Sequence, residues 1–220
     1  LFVDTWRSGG WSPADEFVPP MIEAWEREHP GVPLPSDPRD ERWCRHVAAT
    51  VTTLFGAMRQ RLDGSGRRIR FLLGVFGATA DGAQPLRERG VDWRRLVDEG
   101  IIDGLVINSV PWDAKRPMES TREHYRGVIA AVGGRCDVYC PVRAYDYNGF
   151  GMPSYAKSTG LKQPEIAEAL TRMAWEEGAS GISLECVNYN NYVPSTRRTM
   201  RELLAGPCRH RREPEQPPVR

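Results

Sequence analysis

Five short apolar segments, each followed by an amphipathic helical pattern, constrain this chain more than any single motif. They are residues 1–6, 69–76, 102–109, 137–144 and 181–188, all rich in Val, Ile, Leu, Phe or Tyr. Short apolar runs bounded by turn residues predict buried strands. Between them, apolar residues recur at helical steps. Asp37-Pro38 predicts an N-cap with proline at the first helical position, followed by Trp43, Val47, Val51, Leu54, Phe55, Met58 and Leu62. Asp92 predicts the cap of a shorter helix with Trp93, Leu96 and Val97, stopped by Gly100. Ser120 or Thr121 opens another, with Tyr125, Val128, Ile129 and Val132, stopped by Gly133-Gly134. Pro164 starts a fourth, through Ile166, Leu170 and Met173 to Gly178, and Ser195 caps a last one with Met200, Leu203 and Leu204.

A helix between each pair of strands forces the strands to run parallel, because a tight hairpin cannot join parallel neighbours. Two junctions also look alike. Glu99-Gly100 precedes Asp103-Gly104-Leu105, and Glu177-Gly178 precedes Ser180-Gly181-Ile182. A doubly wound sheet is the rival architecture, but its glycine-rich turn is missing after the first strand. Ser8-Gly9-Gly10-Trp11-Ser12-Pro13 lacks G-x-G-x-x-G spacing. The expected fold is therefore an α/β (β/α)8 barrel. A full barrel needs eight units in roughly 250 residues, so five strands predict its fourth to eighth units, N-terminally truncated, over residues 1–205. The start at Leu1, directly in a strand pattern, fits a fragment whose targeting segment would precede it. The compartment stays open, with a secreted or cell-envelope location following if a signal peptide lies upstream. Residues 206–220 mix Pro207, Pro214, Pro217 and Pro218 with arginines and are expected to form a disordered tail.

A length of 220 residues with 40% hydrophobic content fits one domain with a core. With a net charge of +1, nothing points to nucleic acid or to an acidic membrane surface, and no nucleic-acid partner is expected. No run of apolar residues is long enough to span a bilayer. Cys44, Cys136, Cys140, Cys186 and Cys208 match neither a zinc ribbon nor a disulfide scaffold, and read as buried free thiols.

Barrel enzymes place their chemistry at the C-terminal ends of the strands. Here those ends carry Asp4, Trp6, Arg7 and Trp11; Phe76-Gly77, with no acid; Asn108, Ser109, Trp112 and Asp113; Arg143, Tyr145, Asp146 and Tyr147; and Glu185, Asn188, Tyr189, Asn190 and Asn191. Strand alternation sharpens the choice. Ile182, Leu184 and Cys186 share one face, which should meet helices, so Ser183 and Glu185 share the inner one. By the same logic Tyr139, Arg143 and Tyr145 share a face. An inward Glu and Arg must pair with each other or meet water and ligand. One reading is a buried ion pair closing the barrel, the other a ligand-facing constellation. Asp4 likewise either pairs with Arg7 or caps the next turn, or serves as an acid/base or nucleophilic carboxylate.

Glycoside hydrolysis uses two carboxylates flanking a sugar, and Asp4 and Glu185 are the best available pair. Trp6, Trp11, Trp112, Tyr145, Tyr147 and Tyr189 offer flat rings to pyranose faces, with Asn, Asp and Arg for the hydroxyls. No cofactor is implied. No metal site is expected, because His29, His46, His124 and His210 fall in helix patterns or the tail with no paired ligand spacing. The same placement leaves no Ser-His-Asp triad. A lyase or aldolase would need a lysine at a strand end, whereas Lys115, Lys157 and Lys162 read as loop residues.

The run Leu1-Phe2-Val3-Asp4-Thr5-Trp6-Arg7 resembles a strand ending in D-x-x-R. Glu23-Ala24-Trp25-Glu26-Arg27-Glu28 and Arg42-Trp43-Cys44-Arg45 resemble the helical insert after it, and residues 90–105 resemble a "G-D-W-V-E-G-L-V-D" helix-to-strand passage. Residues 174–182 are similar to a "G-A-D-G-I" strand entry. Together these resemble the bacterial glycosyl-hydrolase-like family ten type of TIM-barrel proteins, described as hypothetical glycoside hydrolases. The resemblance implies a carbohydrate-active hydrolase fold, with Asp4 a candidate active-site acid and Arg7 supporting it. It covers most of residues 1–205.

The combined expectation is a glycoside hydrolase acting on a poly- or oligosaccharide. Asp4 and Glu185 are its carboxylates, and Trp6, Arg7, Trp11, Asn108, Trp112, Asp113, Arg143, Tyr145, Asn188 and Tyr189 bind the sugar. The alternative is a non-catalytic carbohydrate-binding barrel.

Overall fold

A computed structural model describes residues 1–4, 17–108, 115–143 and 152–185. In chain order the elements are β1 (Phe2–Asp4), α1 (Pro19–Glu28), α2 (Glu41–Asp63), β2 (Leu72–Val75), α3 (Ala83–Arg89), α4 (Trp93–Asp98), β3 (Gly104–Ile107), α5 (Pro117–Val132), β4 (Asp137–Arg143), α6 (Met152–Thr159), α7 (Gln163–Glu176) and β5 (Gly181–Glu185). The five described strands form one parallel sheet in the order β1-β2-β3-β4-β5. Strand order follows chain order with no reversal among the described strands, unlike a doubly wound sheet, whose order reverses at a switch point.

Alternation along each strand sends one set of side chains to the helices. Leu73, Val75, Leu105, Ile107, Val138, Cys140 and Val142 are buried in one cluster with Phe55, Trp93, Leu96, Tyr125, Val128, Ile166 and Leu170 from the helices. Val3 and Ile182 pack against the same cluster. The other parity carries Phe2, Asp4, Leu72, Gly74, Gly104, Tyr139, Gly181 and Ser183. Here large and small residues interdigitate: a Cβ on Gly104 would lie 2.7 Å from Leu72, and one on Gly181 would lie 2.6 Å from the Tyr139 ring.

Several helix starts differ from the expected ones. α2 begins at Glu41, not at Pro38. Its N-cap is Asp40, whose Oδ1 accepts from the Arg42 N–H at 2.8 Å, while Asp37 accepts from the Arg39 N–H in the turn before. Either aspartate could cap. Asp40 stands next to the helix and also holds the Arg42 guanidinium, which keeps its carboxyl down at about 2. α5 begins at Pro117, ahead of Ser120 and Thr121. Proline at the first turn has its φ preset for a helix, and both hydroxyls instead donate back to the Pro117 carbonyl. α3 and α6 are additions to the expected elements, and α6 places Lys157 in a helix rather than a loop.

The two similar junctions are similar in structure. Gly100 (φ 65°) and Gly178 (φ 91°) take left-handed conformations, which glycine adopts without a Cβ penalty. The next N–H, of Ile101 or Ala179, then donates back into the helix, to Leu96 or Ala174, at 2.9 Å in both. Asp92 caps α4 as expected, accepting from the Arg95 N–H at 3.1 Å. Trp25, Trp43 and Trp93 are buried packing residues. Cys44 and Cys140 are buried free thiols and Cys136 is half-buried. The expected helix after Ser195, the tail from residue 206, Cys186 and Cys208 lie outside the described residues.

Candidate active site

The C-terminal edge of the sheet carries the expected polar residues that fall within the described chain. β1 ends at Asp4, whose register partner on β2 is Gly74, and Gly74 is in turn paired with Val106 on β3. Asn108, two residues beyond Val106, directly follows β3. Its backbone N–H donates to the Val75 carbonyl at 3.1 Å, which holds it on the sheet edge. Its side-chain amide donates to Oδ1 of Asp4, crossing the intervening strand. The crossing needs Gly74: a Cβ there would lie 2.7 Å from Asn108 Nδ2 and 2.9 Å from the Phe2 ring. Asp4 is exposed at the surface, and Asn108 is half-buried. The arrangement presents a carboxylate with one oxygen oriented by a neutral donor, at the edge where parallel sheets bind ligands.

β4 and β5 end in register, with Arg143 paired to Glu185. The backbone parity of the two positions is that of Tyr139 and Ser183. The edge thus gathers Asp4 and Asn108 on one side and the Arg143 and Glu185 positions on the other. Trp6, Arg7, Trp11, Trp112, Asp113, Tyr145, Asn188 and Tyr189 lie outside the described residues, as do Ser109, Asp146, Tyr147, Asn190 and Asn191. Just beyond β2, the Arg89 guanidinium sits 4.7 Å over the Phe76 ring in a cation–π contact.

The remaining candidates are placed elsewhere. Lys115 precedes α5, Lys157 lies in α6 and Lys162 caps α7, so no lysine stands on a described strand. A surface groove of about 510 Å³ runs between α2, α3 and α4. Its charges serve the fold: Arg45 pairs with Glu41, Arg95 with Glu99 and Asp98 with Arg135, while Asp81 accepts from the Ala83 N–H. One constellation escapes the spacing rules altogether. Glu28 and His29, at the end of α1, meet His46 of α2, with ligand atoms within 4.8 Å of one another. The two histidines are 17 positions apart on different helices, so no short motif joins them. Each does follow a buried tryptophan by one helical turn, Trp25 to His29 and Trp43 to His46. The chain matches no protein-family model and no curated protein.

Proposed function

We propose that this chain belongs to a (β/α)-barrel glycoside hydrolase, with Asp4 as one of its two working carboxylates. The observation that carries this reading is the Asn108 amide donating to Asp4 across Gly74 at the C-terminal sheet edge. An exposed carboxylate oriented by a fixed donor suits attack at, or charge stabilisation beside, a sugar's anomeric carbon. The register pairing of Arg143 with Glu185 supports a second acid on the same edge. Parallel strands in chain order, helices packed on one face and alternating large and small residues on the other support the barrel. The likeness of residues 1–7 and 90–105 to the hydrolase-like barrel proteins points the same way. The tryptophans and tyrosines that follow the strands in sequence would supply the stacking surface for a poly- or oligosaccharide.

The test is hydrolysis of a panel of oligo- and polysaccharides by the protein and its Asp4→Asn and Glu185→Gln variants. Loss of turnover in both, with sugar binding retained, supports the assignment, and wild-type turnover in both ends it. Saturable sugar binding by the wild type without any hydrolysis would instead favour a non-catalytic carbohydrate-binding barrel. The anomeric form of the first product reports whether the two carboxylates act by retention or inversion.

A further inference from the structure

We propose that Glu28, His29 and His46 form a binding site for a divalent transition metal of the Zn²⁺ class, clipping the end of α1 to α2. The site lies on the helix layer and does not depend on the sugar-hydrolase reading.

The His46 side chain is only 2% exposed. Its Nε2 lies 3.0 Å from the backbone carbonyl of Met21. A carbonyl oxygen only accepts, so Nε2 carries the hydrogen and donates it. In the neutral ring that leaves Nδ1 as a bare lone pair. Nδ1 faces Oε2 of Glu28 at 3.3 Å, and an ionised carboxylate also only accepts. Two lone pairs at that distance repel unless a positive charge lies between them, either a proton or a metal ion. The wiring matches that of metal-binding histidines, which donate their second ring N–H to a carbonyl or carboxylate to fix the tautomer. The spacing also fits. Two ligands each about 2.0–2.1 Å from a tetrahedral zinc stand about 3.3–3.4 Å apart.

The surroundings favour a cation. Glu28 closes α1 and His29 is its C-cap. The C-terminal end of a helix concentrates negative potential from its free carbonyls, so a glutamate there gains from a nearby positive charge. The neighbouring cation, Arg27, is 72% exposed and stands 3.8 Å from the other carboxylate oxygen, leaving Oε2 to the histidine side. The His29 ring lies 4.3 Å from the Trp25 ring and 5.9 Å from the His46 ring, with one ligand atom from each of Glu28, His29 and His46 within 4.8 Å of the others. Trp25 and Trp43 wall the inner side, at 5.4 and 5.5 Å from His46. Two nitrogens and one oxygen select borderline metals such as zinc, whereas magnesium and calcium prefer oxygen donors throughout. Glu28 is 50% exposed, which leaves the outer side of the site to water. The clip would add to a small core that α1 and α2 share, in which Trp25, Trp43 and Val47 are buried.

The test titrates Zn²⁺ into the full chain by calorimetry. In parallel, ¹⁵N-resolved NMR follows the His46 ring, and thermal unfolding is run with zinc and with excess chelator. The expected result is one saturable site, a shift of the His46 Nδ1 resonance and a rise in melting temperature that chelator reverses. Glu28→Gln and His29→Ala reach the surface and leave the buried ring in place, and each should weaken binding at least about tenfold. His46→Gln should abolish it, with circular dichroism reporting whether that variant folds. Absence of saturable binding would overturn the proposal. So would a His46 resonance that zinc does not move, or undiminished affinity in both surface variants, which would place the metal elsewhere.

Discussion

The Asn108 side chain reaches over Gly74 to hold the Asp4 carboxylate, linking two strands that are not neighbours in the sheet. A methyl group at position 74 would occupy the space of that contact. Gly74→Ala should therefore destabilise the chain by about 1–3 kcal/mol, the usual cost of overpacking, and should impair any activity of Asp4 as much as Asn108→Ala does. Gly56, in α2, is the control. A Cβ there meets only Ile101 Cδ1, at 3.9 Å, so Gly56→Ala should stabilise by about 0.5–1 kcal/mol. Urea unfolding of the two variants should give opposite signs.

Glu177 ties α7 to α5. Its oxygens accept from Arg126 at 2.8 and 3.0 Å and from Arg122 at 2.9 Å, and its side chain is 9% exposed. The Arg126 hydrogen bond, with help from Arg122, holds its carboxyl below the ordinary 4.5. A carboxyl lowered in the folded state stabilises fully above its unfolded value and loses that contribution as pH falls through the folded one. Thermal stability should thus drop below about pH 4.5, and Glu177→Gln should be less stable at neutral pH with a flatter acid limb. An unchanged acid limb in the variant would remove Glu177 as the cause.

Burial pushes the Cys140 thiol up to about 12 and the Cys136 thiol up to about 11. The thiolate is the reactive form, so both should resist alkylation at pH 8 in the native protein and react at once in denaturant. Mass spectrometry of the labelled peptides reads each cysteine separately. Rapid native labelling of either would contradict its placement.

Asp103 stitches the N-terminal edge of the sheet. Its Oδ2 accepts from the Phe71 backbone N–H at 2.7 Å and from the Arg59 guanidinium at 2.8 Å. Asp103→Ala strips the Phe71 N–H of that acceptor and should cost about 1–3 kcal/mol. Asp103→Asn keeps an acceptor oxygen and should cost less, as unfolding midpoints of the two variants can show.

Much of the scaffold was legible because it rests on local rules. Apolar runs bounded by turns marked the five described strands, and glycines at 100 and 178 marked helix stops, because only glycine enters the left-handed region cheaply. Period-two alternation correctly sent Ile182 to the helices. Helix starts were less legible where two residues had equal chemistry: Asp37 and Asp40 both suit a cap, and adjacency to the buried Trp43 turn decided between them. Asp4 and Asn108 could each be placed at a strand end by pattern. Their contact spans 104 positions and depends on an empty Cβ site on a third strand, which only the assembled sheet reveals. The Glu28, His29 and His46 cluster likewise arises from the packing of α1 on α2. Periodicity acts over a few residues and is written along the chain, whereas convergence of side chains from separate elements is a property of the packed tertiary structure alone.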